Sequence, residues 1–182
     1  MNLSHAKGAD WAMKYLDSLE PSEIVDLGCG GGRNAAVLLK KFPSAKVTAI
    51  DYSPLSVEKT REYNRDMIAA GRCVVQEGNV RELGLESGKF GLATAFETIY
   101  FWPGLSECFR EVARVLQPGG RFLVANETTG TDSAAHKFEK IIDGMKAYTV
   151  EEIEDALKSA GFTEVHSEHH PSWSWIAVLA KK

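Results

Sequence analysis

At 182 residues, with 44% hydrophobic and 25% charged side chains, the chain has room for one domain built on a sheet covered on both faces, and its composition excludes a disordered segment. A formal net charge of −4, with basic residues scattered among acids, speaks against bulk nucleic acid or a membrane surface as partner, since either calls for a basic stripe. Three cysteines without a CxxC pair, no apolar leader and no apolar run near the roughly 20 residues of a membrane span lead to the expectation of a cytoplasmic, reducing location.

In chain order, residues 1–21 predict an N-terminal lid with an amphipathic helix over 9–19, carrying His5 and Trp11 beside it. A first strand covers Glu23–Leu27 (EIVDL), followed by a glycine-rich turn and a helix from about Arg33. The strand at 46–50 leads to Ser53-Pro54, a capping hydroxyl before a proline whose missing N–H costs nothing in a first helical turn. Further strands are expected at 73–76, 90–96 and 121–125. Between the last two, Leu105, Phe109, Val112 and Leu116 fall on one helical face. Residues 127–148 stand outside the alternation and are taken as a possible second lid. Thr149 and Glu152 form a capping box ahead of an apolar stripe of Ile153, Ala156, Leu157 and Ala160, with Gly161 where a left-handed C-cap belongs. Stretches 163–170 and 173–181 read as two strands joined by a proline-containing turn, a hairpin at the sheet edge. Strand–helix alternation with near-continuous apolar strands predicts a single doubly wound α/β domain over 1–182, with helices on both faces.

The strongest local signal is IVDLGCGGGRN, where four glycines stand within five positions at a strand-to-helix turn. Glycines there permit positive φ and let a ligand approach bare backbone, and the helix start offers unpaired N–H groups. The candidate binding residues in this stretch are Asp26, Gly28, Cys29, Gly30, Gly32 and Asn34. A dinucleotide fingerprint read from Gly28 needs glycine at position 33 and meets Arg33; read from Gly30 it gives the looser GxGxxA. Asp26 at the strand end would repel a pyrophosphate and attract a cationic amino group. Asp51, about 20 residues further on at the end of the second strand, suits two hydrogen bonds from ribose hydroxyls, with Tyr52 and Ser53 beside it. Ribose recognition alone leaves NAD and adenosylmethionine both open.

These residues resemble class I S-adenosylmethionine-dependent methyltransferases over about residues 10–181. The family's acid-x-Gly-x-Gly-x-Gly stands as Asp26-Leu-Gly28-Cys-Gly30-Gly-Gly32, its ribose acid as Asp51, and its Gly-Asp-Ala as Gly78-Asn79-Val80. Its Phe-Asp appears as Phe90-Gly91, and its Leu-Lys-Pro-Gly-Gly turn as Leu116-Gln-Pro-Gly-Gly120. The resemblance implies sheet order 3-2-1-4-5-7-6 with strand seven antiparallel, and S-adenosyl-L-methionine as cofactor, released as S-adenosyl-L-homocysteine. It puts Gly28 and Gly30 against the methionyl part, Tyr52 and Val80 on the two faces of the adenine, and Asn79 where an aspartate is usual.

Methyl transfer is an in-line displacement at a carbon already activated by the sulfonium, so the protein chiefly aligns the reactants and excludes water. Glu97, at the end of strand four, is the best-placed acid for the cofactor's ammonium or for a substrate proton. Tyr100 leads an aromatic run, Tyr100-Phe101-Trp102, suited to wall a pocket for a small-molecule acceptor, and His5 is the lid's candidate. No metal is expected: His166, His169 and His170 lack a companion carboxylate or cysteine at ligand spacing. The leading expectation is a small-molecule methyltransferase. A non-catalytic adenosylmethionine-binding module and an NAD(P)-dependent oxidoreductase are the alternatives.

Overall fold

The computed structural model describes residues 5–182. Residues 1–4 of the expected N-terminal lid lie outside the described residues. Seven strands form one sheet, β1 (Glu23–Leu27), β2 (Lys46–Asp51), β3 (Cys73–Glu77), β4 (Phe90–Phe96), β5 (Leu116–Asn126), β6 (Thr163–His169) and β7 (Ile176–Lys181). Their order is β3-β2-β1-β4-β5-β7-β6, parallel except for β7, which runs antiparallel to both neighbours. This is the doubly wound arrangement that the alternation predicts, closed by the terminal hairpin. The helices are α1 (Ala6–Ala12), α2 (Arg33–Lys41), α3 (Pro54–Tyr63), α4 (Arg65–Ala69), α5 (Leu105–Val115), α6 (Ser133–Ile141) and α7 (Val150–Ser159).

Successive strand residues feed opposite faces of the sheet. Ile24, Leu92 and Leu123 join Leu38, Leu39 and Leu16 on one face, whereas Val25, Ala93 and Phe122 join Phe109, Val112 and Leu157 on the other. The second core is the more aromatic: Phe122 meets Phe109 edge to face at 5.3 Å between ring centres and stacks on Trp102 at 6.4 Å. Because both faces are buried, the central strands are mostly apolar, with Asp26, Thr48, Asp51 and Thr94 as their buried polar residues.

Several boundaries differ from the sequence reading: β7 begins at Ile176 instead of 173, and the N-terminal helix and β5 are displaced as well. The N-terminal helix occupies Ala6–Ala12 and continues as a 3₁₀ turn over Met13–Leu16 instead of running over 9–19. Ala9, Ala12, Met13 and Leu16 form the buried stripe, so burial starts the helix earlier, while Pro21 restricts only Glu20, beyond its end. Strand β5 begins at Leu116, ahead of the Pro-Gly-Gly turn, because Leu116 still pairs with Phe90 before the register shifts and Arg121 pairs with Leu92. Gly120 makes that bulge possible, since a Cβ there would lie 2.9 Å from the Gln117 carbonyl oxygen.

The α7 capping box forms as the sequence requires. The Thr149 hydroxyl accepts from the Glu152 N–H at 3.1 Å, and the Glu152 carboxylate accepts from the Thr149 N–H at 2.9 Å. Replacing Thr149 by Ala is expected to lower unfolding free energy by about 1 kcal/mol, read from urea denaturation, with Thr149→Ser retaining most of it.

Candidate functional site

The C-terminal ends of β1, β2, β4 and β5 open onto two adjoining cavities, of about 570 Å³ and about 370 Å³, both reaching Gly28 and Phe101. In open α/β sheets, ligands sit beyond these strand ends.

The glycine loop is shaped by β2. The Gly28 and Cys29 N–H groups both donate to the Ile50 carbonyl, and the Gly30 N–H donates to Asp51 Oδ2 at 2.8 Å. The three loop glycines at positive φ have different reasons to be glycine. A Cβ on Gly28 would lie 2.1 Å from Thr98 Oγ1, and one on Gly32 would lie 2.8 Å from the Thr60 backbone. At Gly30 (φ +56°) the nearest atom to such a Cβ is the Gly28 carbonyl oxygen at 4.0 Å. Protein packing therefore explains Gly28 and Gly32, whereas Gly30 faces open cavity.

The smaller cavity gathers Asp51, Tyr52, Gly78, Asn79 and Val80, five of the residues expected around an adenosine. Asp51 is nearly buried, and its second oxygen accepts from the Ser53 N–H at 3.0 Å. Asn79 turns its amide oxygen toward the Arg81 N–H, at 2.9 Å. Ser53 lines neither cavity. Its hydroxyl caps α3 on the Ser56 N–H, so its role here is to shape that helix. Gly32 also lines neither; it is the left-handed N-cap of α2.

The larger cavity holds Gly28, Cys29, Gly30, Asn34, Glu97, Tyr100 and His5. Beneath it Asp26 is almost wholly buried; Oδ1 accepts from the Thr94 hydroxyl at 2.8 Å, and Oδ2 finds no partner among the described residues. Burial pushes the Asp26 carboxyl up to about 7. The Cys29 thiol is likewise pushed up by burial to about 12, which leaves it inert as a nucleophile.

Glu97 sits at the end of β4 with left-handed backbone, φ +55°, a strained conformation for glutamate. Its N–H bonds to the Ala125 carbonyl, and its carboxyl accepts from the Glu127 N–H and from the Tyr100 hydroxyl at 3.2 Å. Burial, with the neighbouring Glu127 charge second, pushes this carboxyl up to about 8. Tyr100 is raised too, mainly by burial and then by Glu97. His5 Nδ1 lies 2.9 Å from Glu127 Oε2 and 3.9 Å from Glu97 Oε2. His5, Glu97 and Glu127 thus form a cluster whose potential ligand atoms lie within 4.8 Å of one another. The late histidine His170 instead packs against the Trp11 and Trp175 rings, so Trp11 belongs to the outer hairpin and not to the cavity.

Sequence reasoning missed Asn126 and Glu127, which line the larger cavity at the end of β5. Their position just beyond a parallel strand's C-terminal end was the available signal. The sequence left open whether Tyr100, Phe101 and Trp102 wall a pocket or pack in part as ordinary core. In the structure Tyr100 faces the larger cavity, half-exposed Phe101 stands between the two, and Trp102 turns mainly into the core. Segment 127–148, with α6, supplies Phe138, Ile142 and Met145 to the larger cavity and Asp143 and Gly144 to the smaller.

Residues 25–124 match the family model described as a methyltransferase domain. The chain belongs to this methyltransferase-domain family. It is 28% identical over 167 residues to the 27-O-demethylrifamycin SV methyltransferase of Amycolatopsis mediterranei, covering 85% of this chain and 60% of that protein. It is 27% identical over 178 residues to the malonyl-[acyl-carrier protein] O-methyltransferase of Geobacter sulfurreducens, covering 88% of this chain and 65% of the relative. The chain therefore spans less than two thirds of the length of these curated relatives. Among solved structures, the Haemonchus contortus phosphoethanolamine N-methyltransferase 2 in complex with S-adenosyl-L-methionine shares the fold at TM-score 0.83 and 16% identity, over 97% of this chain and 52% of that one. The putative methyltransferase bound to the Haloferax volcanii Trm112 activator does so at TM-score 0.85 and 19% identity, over 97% and 89%.

The two raised acids of this methyltransferase domain give its stability a definite pH slope. The folded, ligand-free chain keeps protons on Asp26 up to about 7 and on Glu97 up to about 8, while the unfolded chain loses them near the ordinary values of 3.8 and 4.5. Where the folded state binds more protons, stability falls as pH rises. Thermal melts of the ligand-free protein are expected to show Tm declining from pH 5.5 to about 8 and levelling above it, with the slope flattened in an Asp26→Asn/Glu97→Gln double variant.

Proposed function

We propose that the chain is an S-adenosylmethionine-dependent methyltransferase acting on a small-molecule acceptor. The observation that carries this reading is the pair of joined cavities: a ribose-suited acid, Asp51, lines the smaller one, and bare backbone at Gly30 lines the larger one, while the unpartnered carboxylate of Asp26 lies buried in β1 and lines neither. A cofactor with an adenosine at one end and a cationic amino group at the other fits that donor set. Asp51 would hold the ribose, Val80 and Tyr52 the adenine, and Asp26 the ammonium. When bound, adenosylmethionine supplies a sulfonium-activated methyl group.

The residues of the chain then have alignment, dryness and proton handling as their tasks. Beside the methionyl position, the larger cavity keeps room of the size small-molecule sites use, walled by Tyr100, Phe101, Phe138 and Ile142. A binding module without catalysis has no need of that space. Helix α1 and segment 127–148 border the opening as lids, and Arg33 Nη2, at 2.8 and 2.7 Å from the two Asp10 carboxylate oxygens, ties α1 to the start of α2. The relative named 27-O-demethylrifamycin SV methyltransferase supports a small-molecule acceptor. No helix among the described residues is long and apolar enough to cross a membrane.

Calorimetric titration tests the reading. S-adenosylhomocysteine is expected to bind, NADH to fail, and Asp51→Ala to weaken the former by about 1.5–3 kcal/mol, the range for hydrogen bonds to a charged group. Wild-type affinity in a folded Asp51→Ala protein would remove Asp51 from the site.

A further inference from the structure

We propose that Asn126 and Glu127 form the recognition and proton-accepting site for a vicinal diol carried on an apolar body, one of whose hydroxyls receives the methyl group. This rests on the reading of the larger cavity as the acceptor chamber.

Asn126 closes β5 with 2% of its surface exposed, lines that cavity, and finds no hydrogen-bond partner among the described residues for either Oδ1 or Nδ2. Burying an unpaired amide is costly, and a ligand that pairs with both atoms would relieve that cost. The amide presents one acceptor and one donor side by side. Two hydroxyls on adjacent atoms complete it: one donates to Oδ1, and the oxygen of the other accepts from Nδ2. A lone hydroxyl leaves half the amide unpaired.

Glu127 is held for the proton. Its carboxylate meets His5 Nδ1 at 2.9 Å, and its backbone N–H is fixed on Glu97. Helix α1 approaches it at Gly8, where a Cβ would stand 2.8 Å from Glu127 Oε1; a larger residue there would displace the carboxylate. Burial, and then the neighbouring Glu127, push the Glu97 carboxyl up to about 8, so this pair resists carrying two negative charges. One charge suits the removal of a hydroxyl proton better than the capture of a cationic amine beside a sulfonium. Phe101, Phe138, Ile142 and Met145 provide the apolar surround.

In the transfer step the reacting oxygen forms its bond to the methyl carbon, its proton passes to Glu127, and the carbon–sulfur electron pair stays on sulfur as the sulfonium becomes a thioether. Glu127, with 24% of its side chain exposed, returns the proton to solvent.

The test titrates catechol and phenol into protein saturated with S-adenosylhomocysteine. Catechol is expected to bind about tenfold more tightly than phenol, and Asn126→Val to erase the difference while leaving Tm at or above wild type, because an unpaired buried amide is gone. Glu127→Gln is expected to keep the binding preference and lose about a hundredfold in methylation of catechol from adenosylmethionine. Equal binding of the two phenols by the wild type, or a lowered Tm with preference retained in Asn126→Val, overturns the inference. Failure of S-adenosylhomocysteine itself to bind overturns the cofactor reading beneath it; binding without discrimination overturns this inference alone.

Discussion

The Asp51 carboxylate accepts the Gly30 N–H at 2.8 Å through one oxygen and the Ser53 N–H at 3.0 Å through the other. These two bonds connect the turn after β1 to the turn after β2, two loops that side-chain packing alone would leave loosely related. With the Ile50 carbonyl holding Gly28 and Cys29, they shape the glycine loop so that its open position, Gly30, faces the cavity. Each carboxylate oxygen has further lone-pair capacity, directed at the smaller cavity that Asp51 lines. On the proposed reading, the group that organises the loops would also read the ribose. The two uses reinforce each other, because a carboxylate fixed by backbone N–H donors is already oriented for a ligand's hydroxyls.

A second constraint is the gathering of acids where the dielectric is low. Asp26 is sealed beneath the loop with one oxygen unpaired, and Glu97 is held in left-handed backbone beside Glu127. A fold optimised only for stability would place apolar groups at these positions; strained backbone and raised carboxyl groups instead concentrate at one rim of the sheet, as in sites where chemistry is done. The cost of burying these acids is offset by protonation in the free protein. A cationic ligand would offset it better.

The rest of the domain serves that rim. The aromatic core of Trp102, Phe109 and Phe122 anchors the chain just after Phe101, leaving Phe101 between the two cavities, while the capping box of α7 closes the segment that carries α6 over the larger one. The bulge at Gly120 resets the register of β5 against β4, and its far end delivers Asn126 and Glu127 beside Glu97.

The sequence by itself determined the strands of the central sheet, the glycine turn, Asp51 and the cap of α7, because each depends on neighbours within a few residues: apolar period, positive φ at glycine, a hydroxyl three residues ahead of a glutamate. The strand order and the antiparallel last strand came from resemblance to a family. Only the tertiary structure decided which of Tyr100, Phe101 and Trp102 faces the cavities and which faces core, that Ser53 and Gly32 shape helices and line neither cavity, and that Asn126 and Glu127 line the larger one. A side chain's role there depends on which strand ends converge. His5 meets Glu127 across 122 positions of chain, and Glu97 meets Glu127 across 30, distances over which local patterning carries no information about contact.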